Sequence, residues 1–157
     1  MVDVSEKPDT DRIASASGVL RMRPETLSRI QAGKIVKGDV LTVADVAAVM
    51  AAKRTAELIP MCHTLPLTGV EIVFDEITNP DSEGSVALTV LATVKCSGQT
   101  GVEMEALCAA SMALLTVYDM CKAIDKGMRI ENIQLEEKRG GKSGVWLRND
   151  LAANEKK

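Results

Sequence analysis

The sequence predicts an α+β fold of ferredoxin-like arrangement, a four-stranded antiparallel sheet with helices packed on one face. Three observations carry this prediction. Leu67–Asp75 and Ser85–Cys96 place apolar side chains with a period of two, as half-buried antiparallel strands do. Gly98–Lys122 has the length and apolar content of one long helix. The elements also follow in the order strand, helices, strand, strand, helix, strand. A chain of 157 residues, 46% of them apolar, suffices for one core. We therefore expect a single domain over 1–157, with an N-terminal arm at 1–12 and a basic, glycine-rich loop and mobile tail at 138–157.

Composition narrows the partners. Phe74, Tyr118 and Trp146 are the only aromatic residues and the net charge is −3, so the stacking rings and basic groove of a single-strand nucleic-acid binder are missing. An anionic ligand would have to be held by a local cluster of Lys and Arg. No apolar run approaches the ~20 residues of a membrane span. The polar, acidic start is unlike a signal peptide, and a cytoplasmic location without membrane or nucleic-acid partners is expected. Cys62, Cys96, Cys108 and Cys121 lack C-x-x-C spacing, and His63 is the one histidine. Reduced thiols and no metal site are expected.

In chain order, the first dozen residues show no hydrophobic periodicity and read as a frayed arm. Ile13–Arg23 reads as an irregular strand, with Leu20 and Met22 on one side and Val19 and Arg21 on the other. Pro24 suits a first helical position. Leu27 and Ile30 give a short helix that Gly33 ends. Gly38-Asp39 in the KGDVL string is a turn, and Thr42 with Asp45 predicts the cap of a helix running to Ile59, where Pro60 stops it. Met61-Cys62-His63 follows in a loop. The neighbouring thiol and imidazole suggest a nucleophile, but residues adjacent on a chain rarely point together. After the two strands and their ITNPDSEG turn comes the long helix, with Thr100 and Glu103 as a predicted capping box and Gly127 as its stop. Asp119 and Lys122 share a face near its end. They suit either a surface ion pair or a functional pair. Met128–Leu135 is the last strand. The EKRGGKSGVW stretch reads as a flexible basic loop, either a solvated tail or a phosphate wrap; it lacks the spacing of a phosphate-binding P-loop.

Six strings in order, MVDVSEK, KGDVL, AAKRTAELIPMCHTL, TGVEMEAL, YDMCKA and GGKSG, spread over residues 1–144. Together they resemble the cyclic pyranopterin monophosphate synthases of molybdenum cofactor biosynthesis. The resemblance implies a ferredoxin-like lyase. It would convert 3′,8-cyclo-7,8-dihydroguanosine 5′-triphosphate into cyclic pyranopterin monophosphate and release pyrophosphate. It also implies Asp119, Lys122 and Lys37 as catalytic residues. Met61, Cys62, His63, Met104 and Glu105 become substrate contacts, and Arg12, Lys53, Lys138 and Lys142 the cations for the substrate's phosphates. No resident cofactor is implied, and any magnesium would arrive with those phosphates. The assembly implied is a homo-oligomer, a hexamer built as a trimer of dimers with sites between neighbouring chains. Apolar residues around the long helix, among them Val102, Leu107, Met112, Leu115 and Val117, agree with burial on more than one side.

Thr64, Gln99 and Arg139 depart from the family's usual residues. Acid-base chemistry by lysines asks for crowding that tunes an ammonium toward neutral pH. Two other readings stay open: a nucleotide-binding module without turnover, and a thiol enzyme using Cys62 and His63.

Overall fold

A computed structural model describes residues 1–142 and 144–148; the tail expected beyond Arg148 lies outside the described residues. The elements are β1 (Thr10–Met22), α1 (Pro24–Gln31), α2 (Val40–Lys53), α3 (Thr55–Leu58), β2 (Leu67–Ile77), β3 (Val86–Gly98), α4 (Glu103–Cys121), β4 (Arg129–Arg139) and β5 (Trp146–Leu147). All pairings are antiparallel, in the order β2-β3-β1-β4-β5. The first four strands have the ferredoxin-like order, with β3 lying between β1 and β2. The sheet has one strand more than expected. β5 is a two-residue return that pairs Trp146 with Lys138 and Leu147 with Glu137.

Strand parity holds the layers together. In β3, Val90, Ala92, Val94 and Cys96 are buried while Leu91 and Lys95 between them are exposed. Ala14, Ala16, Leu20 and Met22 of β1 extend the same buried face. α4 lies against β1, β3 and β4, with α2 beside it and over β2. Small side chains let these layers come close: Ala106, Ala109, Ala110 and Ala113 of α4 have no exposed surface, and neither have Ala44 and Ala48 of α2. Gly18 of β1 lies under Leu114, where an added Cβ would stand 2.8 Å from the leucine Cδ1.

Several boundaries differ from the sequence reading. β1 begins at Thr10, so the arm's last three residues are strand, with Arg12 opposite Cys96. The cap of α2 is Asp39, not Thr42: its Oδ1 accepts the Thr42 N–H at 3.1 Å and its Oδ2 the Thr42 hydroxyl at 2.8 Å. The expected helix to Ile59 is broken at Arg54. There the buried Thr55 hydroxyl donates to the Ala51 and Ala52 carbonyls, competing with the helical ladder. No capping box opens α4, whose N-cap is Val102, without a side-chain bond. The helix closes at Cys121, well before Gly127. Among the described residues α4 is the one helix long and apolar enough to cross a membrane by length and composition. It carries Glu103, Glu105 and Asp119, and it is the core helix of this fold.

Leu114 is fully buried between α4 and the sheet. Leu114→Ala should cost about 2–5 kcal/mol of folding stability, read as a lower urea midpoint at unchanged slope.

Candidate functional site

α4 carries candidate residues at both ends. At its C-terminal end Asp119 and Lys122 share a face, and Lys37 reaches them from the loop between α1 and α2. Lys37 Nζ donates to Asp119 Oδ2 at 2.6 Å and to the Asp119 carbonyl at 3.0 Å. Lys122 Nζ lies 2.6 Å from the other carboxylate oxygen. One carboxylate therefore bridges two ammonium groups, all about half exposed. Hydrogen bonds from Lys122, then Lys37, hold the Asp119 carboxyl at about 2. The Asp119 hydrogen bond and charge push Lys122 upward in turn. With an anion between the two cations, the charged form of Lys122 is favoured.

The second group surrounds the N-terminal end of α4. A cavity of about 500 Å³ is lined by five basic side chains, Lys7, Arg12, Lys138, Arg139 and Lys142, and by one carboxylate, Glu103. Arg12 is held by the backbone, its Nε donating to the Gly98 carbonyl at 2.8 Å and its Nη2 to that of Gln99 at 3.1 Å. Lys138 Nζ lies 2.9 Å from Glu103 Oε1. That ion pair explains the missing capping box, because the Glu103 side chain folds over Gly101 toward the lysine instead of back to the chain start.

Two irregularities in β4 aim Lys138. Between Ser17/Gln134 and Val19/Glu131 the register shifts, with Asn132 at φ 52°. It shifts again between Ala16/Leu135 and Ser15/Glu137, leaving Glu136 as the extra residue. Ile130 and Leu135 lie opposite the inward Leu20 and Ala16, and Lys138 lies opposite the inward Ala14. Without the bulge at Glu136, strict alternation would send Lys138 to the other face. The expected flexible loop over 138–139 is thus the end of a strand. Beyond it Gly140 and Gly141 adopt positive φ of 97° and 72°, and side chains there would overlap the Asp11 carbonyl and the Arg12 guanidinium.

The loop after α3 flanks this cavity. His63 and Thr64 border a smaller hollow of about 180 Å³ with Ser97, Gly98 and Gln99. Met61 accepts a contact of 3.5 Å from the N-terminal amine. Burial pushes the Cys62 thiol up, and the charges of Glu105 and Cys108 add to it. That is the wrong direction for a nucleophilic thiolate. Glu105 is buried and raised, by desolvation first and with Glu103 adding to it, while Met104 beside it is exposed. Lys53 is exposed at the end of α2 and is not among the residues lining the basic cavity. Among the described residues no three His, Cys, Asp or Glu side chains group as a metal site.

The structure thus unites Lys37, Asp119 and Lys122, and separately Arg12, Lys138 and Lys142. The groups are ~24 Å apart along α4, counting sixteen residues from Glu103 to Asp119 at 1.5 Å each. Sequence reasoning missed Glu103, read as a cap, and Lys7 and Arg139 as parts of the cavity wall. Lys7 lies inside the MVDVSEK string, which was the available clue.

The fold is an α+β domain of ferredoxin-like topology with a candidate site at each end of α4. The sequence profile of the MoaC family matches residues 1–141. The chain is 58% identical over 150 residues to a cyclic pyranopterin monophosphate synthase of Thermomicrobium roseum, covering 96% of this chain and 87% of that protein. Similar likeness extends to synthases of the same name from Chloroflexus aurantiacus, at 59% over 94% and 88% of the two chains, and from Listeria monocytogenes, at 57% over 93% and 88%. The chain belongs to the MoaC family and is a lyase of molybdenum cofactor biosynthesis.

Carbon-13 NMR of labelled aspartate should place the Asp119 carboxyl at about 2. Lys122→Met should raise that midpoint toward the ordinary 3.8 by removing one of its two lysine donors. An unchanged midpoint would mean that the ion pair does not persist in solution.

Proposed function

We propose that this enzyme converts 3′,8-cyclo-7,8-dihydroguanosine 5′-triphosphate into cyclic pyranopterin monophosphate, releasing pyrophosphate. The observation that carries the reading is the carboxylate-bridged lysine pair, placed in a chain that also offers a strongly basic cavity. Relatives at 57–59% identity bear the name of that activity. Closing the cyclic phosphate forms a new oxygen–phosphorus bond at the α-phosphate and breaks the bond to the β-phosphate. Pyrophosphate leaves as a multiply charged anion and needs cations about it. Arg12, Lys138 and Lys142 supply them, with Lys53 assigned to the same role. Lys122, held protonated, donates a proton during the ring rearrangement, while Asp119 fixes both lysines and Lys37 supplies a second cationic donor. Met61, Cys62, His63, Met104 and Glu105 shape the wall around the base-derived ring.

The ~24 Å between the two groups is too long for one small substrate to touch both within a chain. A homo-oligomer, with the lysine pair of one copy facing the basic cavity of another, removes the difficulty. Exposed Val43, Val46 and Met50 on α2 and Leu115 on α4 offer apolar surface for such contacts. A hexamer arranged as a trimer of dimers is the assembly proposed.

Turnover of the cyclised triphosphate, followed as pyrophosphate release, is the primary test. Asp119→Asn should lower kcat by at least about 100-fold, the lower end for a group essential to proton transfer, with an unchanged circular dichroism spectrum. Near-normal turnover would remove Asp119 from the mechanism. Inactive Lys122→Ala and Lys138→Ala chains, refolded together, should regain part of the activity. No recovery despite subunit exchange would place both residues in one chain's site.

The thiol reading makes the opposite claim for Cys62, since Cys62→Ser would abolish a nucleophile but leave a wall contact largely intact. The raised thiol favours the wall.

A further inference from the structure

We propose that Asp125 is a positioning residue for the reaction: it clamps the start of α1 to the chain just beyond α4 and so sets Lys37 against Asp119. This rests on the reading of Lys37, Asp119 and Lys122 as reaction residues. Asp125 lies six positions after Asp119, and its side chain is 5% exposed. Oδ2 accepts the Arg23 backbone N–H at 2.9 Å and the buried Thr26 hydroxyl at 3.0 Å. Oδ1 accepts the Gly127 N–H at 3.2 Å and faces Arg23 Nε at 3.5 Å. A second tie runs from the Arg23 guanidinium to the Ile124 carbonyl.

These bonds join two segments about a hundred residues apart in the chain. Both segments carry reaction residues. Arg23 and Thr26 open α1, which runs without a break to Gln31. The tight turn after it, closed by Lys34 N–H to Arg29 and Gly38 N–H to Ile35, presents Lys37. On the other side, the Asp125 N–H returns to the Cys121 carbonyl at 3.1 Å, which fixes the carboxylate to the last turn of α4. Lys37 and Asp119 are themselves half exposed, so their own pair is too solvated to fix where α1 stands. A buried carboxylate with four donors does that better, because every alternative leaves donors unpaired away from water. α1 then acts as a short arm between the clamp and Lys37. Its buried Leu27, Ile30 and the following Ile35 give it a firm seat.

The test is Asp125→Asn, whose amide turns one acceptor into a donor facing other donors. It reads the Asp119 carboxyl by carbon-13 NMR in the full chain without substrate. In the folded variant the Asp119 midpoint should rise from about 2, and kcat should fall about 10- to 100-fold, as a misplaced group predicts, with KM nearly unchanged. In a Lys37→Met background the same substitution should leave the Asp119 midpoint where Lys37→Met alone puts it. A purely structural role would lower thermal stability alone, leaving the midpoint of folded Asp125→Asn at the native value. That result overturns the proposal, as does an equal shift with and without Lys37. Should Asp125→Asn fail to fold, Thr26→Val removes one donor and should give a smaller shift in the same direction; no shift there overturns the proposal too. The NMR readout needs no turnover, so a chain inactive on the cyclised triphosphate would count against the proposed reaction and leave this assignment to be decided by the Asp119 midpoint.

Discussion

The close approach of α4 to the sheet is the constraint on which the remaining geometry depends. It exists because small residues meet small residues. Ala106, Ala109, Ala110 and Ala113 come down on strands whose inward positions include Ala14, Ala16, Gly18 and Ala92. Dense packing of this kind tolerates little extra volume. It also fixes the helix lengthwise, because Leu114 seats over Gly18, where no side chain stands in its way. Both ends of α4 are thereby placed relative to the strands, and with them Glu103 near Lys138 and Asp119 near Lys37. A looser helix with larger side chains would leave those long, partly exposed groups without a fixed frame.

The two ends use electrostatics differently. At one, a carboxylate sits between two lysines, lowering its own affinity for protons and raising that of Lys122. At the other, a single carboxylate is surrounded by an excess of positive charge. Glu103 occupies Lys138 much as a phosphate oxygen would, at 2.9 Å. Under the proposed function, the incoming triphosphate would displace that contact. In a protein of net charge −3 such local concentration is what makes anion binding feasible at all.

Much of the fold was legible in the sequence because strand periodicity is a direct image of burial. The alternation in β2 and β3 placed both strands within a few residues, and Leu20 and Met22 share one side as read, which is the buried one. Helix starts were less legible. Thr100 and Glu103 have the spacing of a capping box, yet Lys138, distant in sequence, takes the glutamate. Thr42 and Asp45 look like a cap, yet Asp39 stands one residue before the helix and wins. Long-range ion pairs and one-residue offsets are invisible to local pattern. The site was legible in its parts, since the matched strings named Lys37, Asp119 and Lys122 together. Its division was not: nothing in the strings says that Arg12 and Lys138 belong to the opposite end of α4. Asp125 escaped because it resembled the tail of a helix that in fact stops at Cys121.

The paired bulges of β4 separate the effect of its length from the effect of its residues. From Asn132 to Lys138 the backbone spends extra residues to turn successive side chains inward or outward, so the strand behaves like a coded tape with two shifts in its frame. Exchanging one residue for another inside this stretch alters a single contact. Removing one residue between Leu135 and Lys138 would leave the apolar seam of Ile130 and Leu135 in place. It would take out the bulge itself, so that Lys138, then two positions after Leu135, would still face inward opposite Ala14. The extra residue at Glu136 is therefore a link in this stretch whose loss leaves the cavity's charge on its present face.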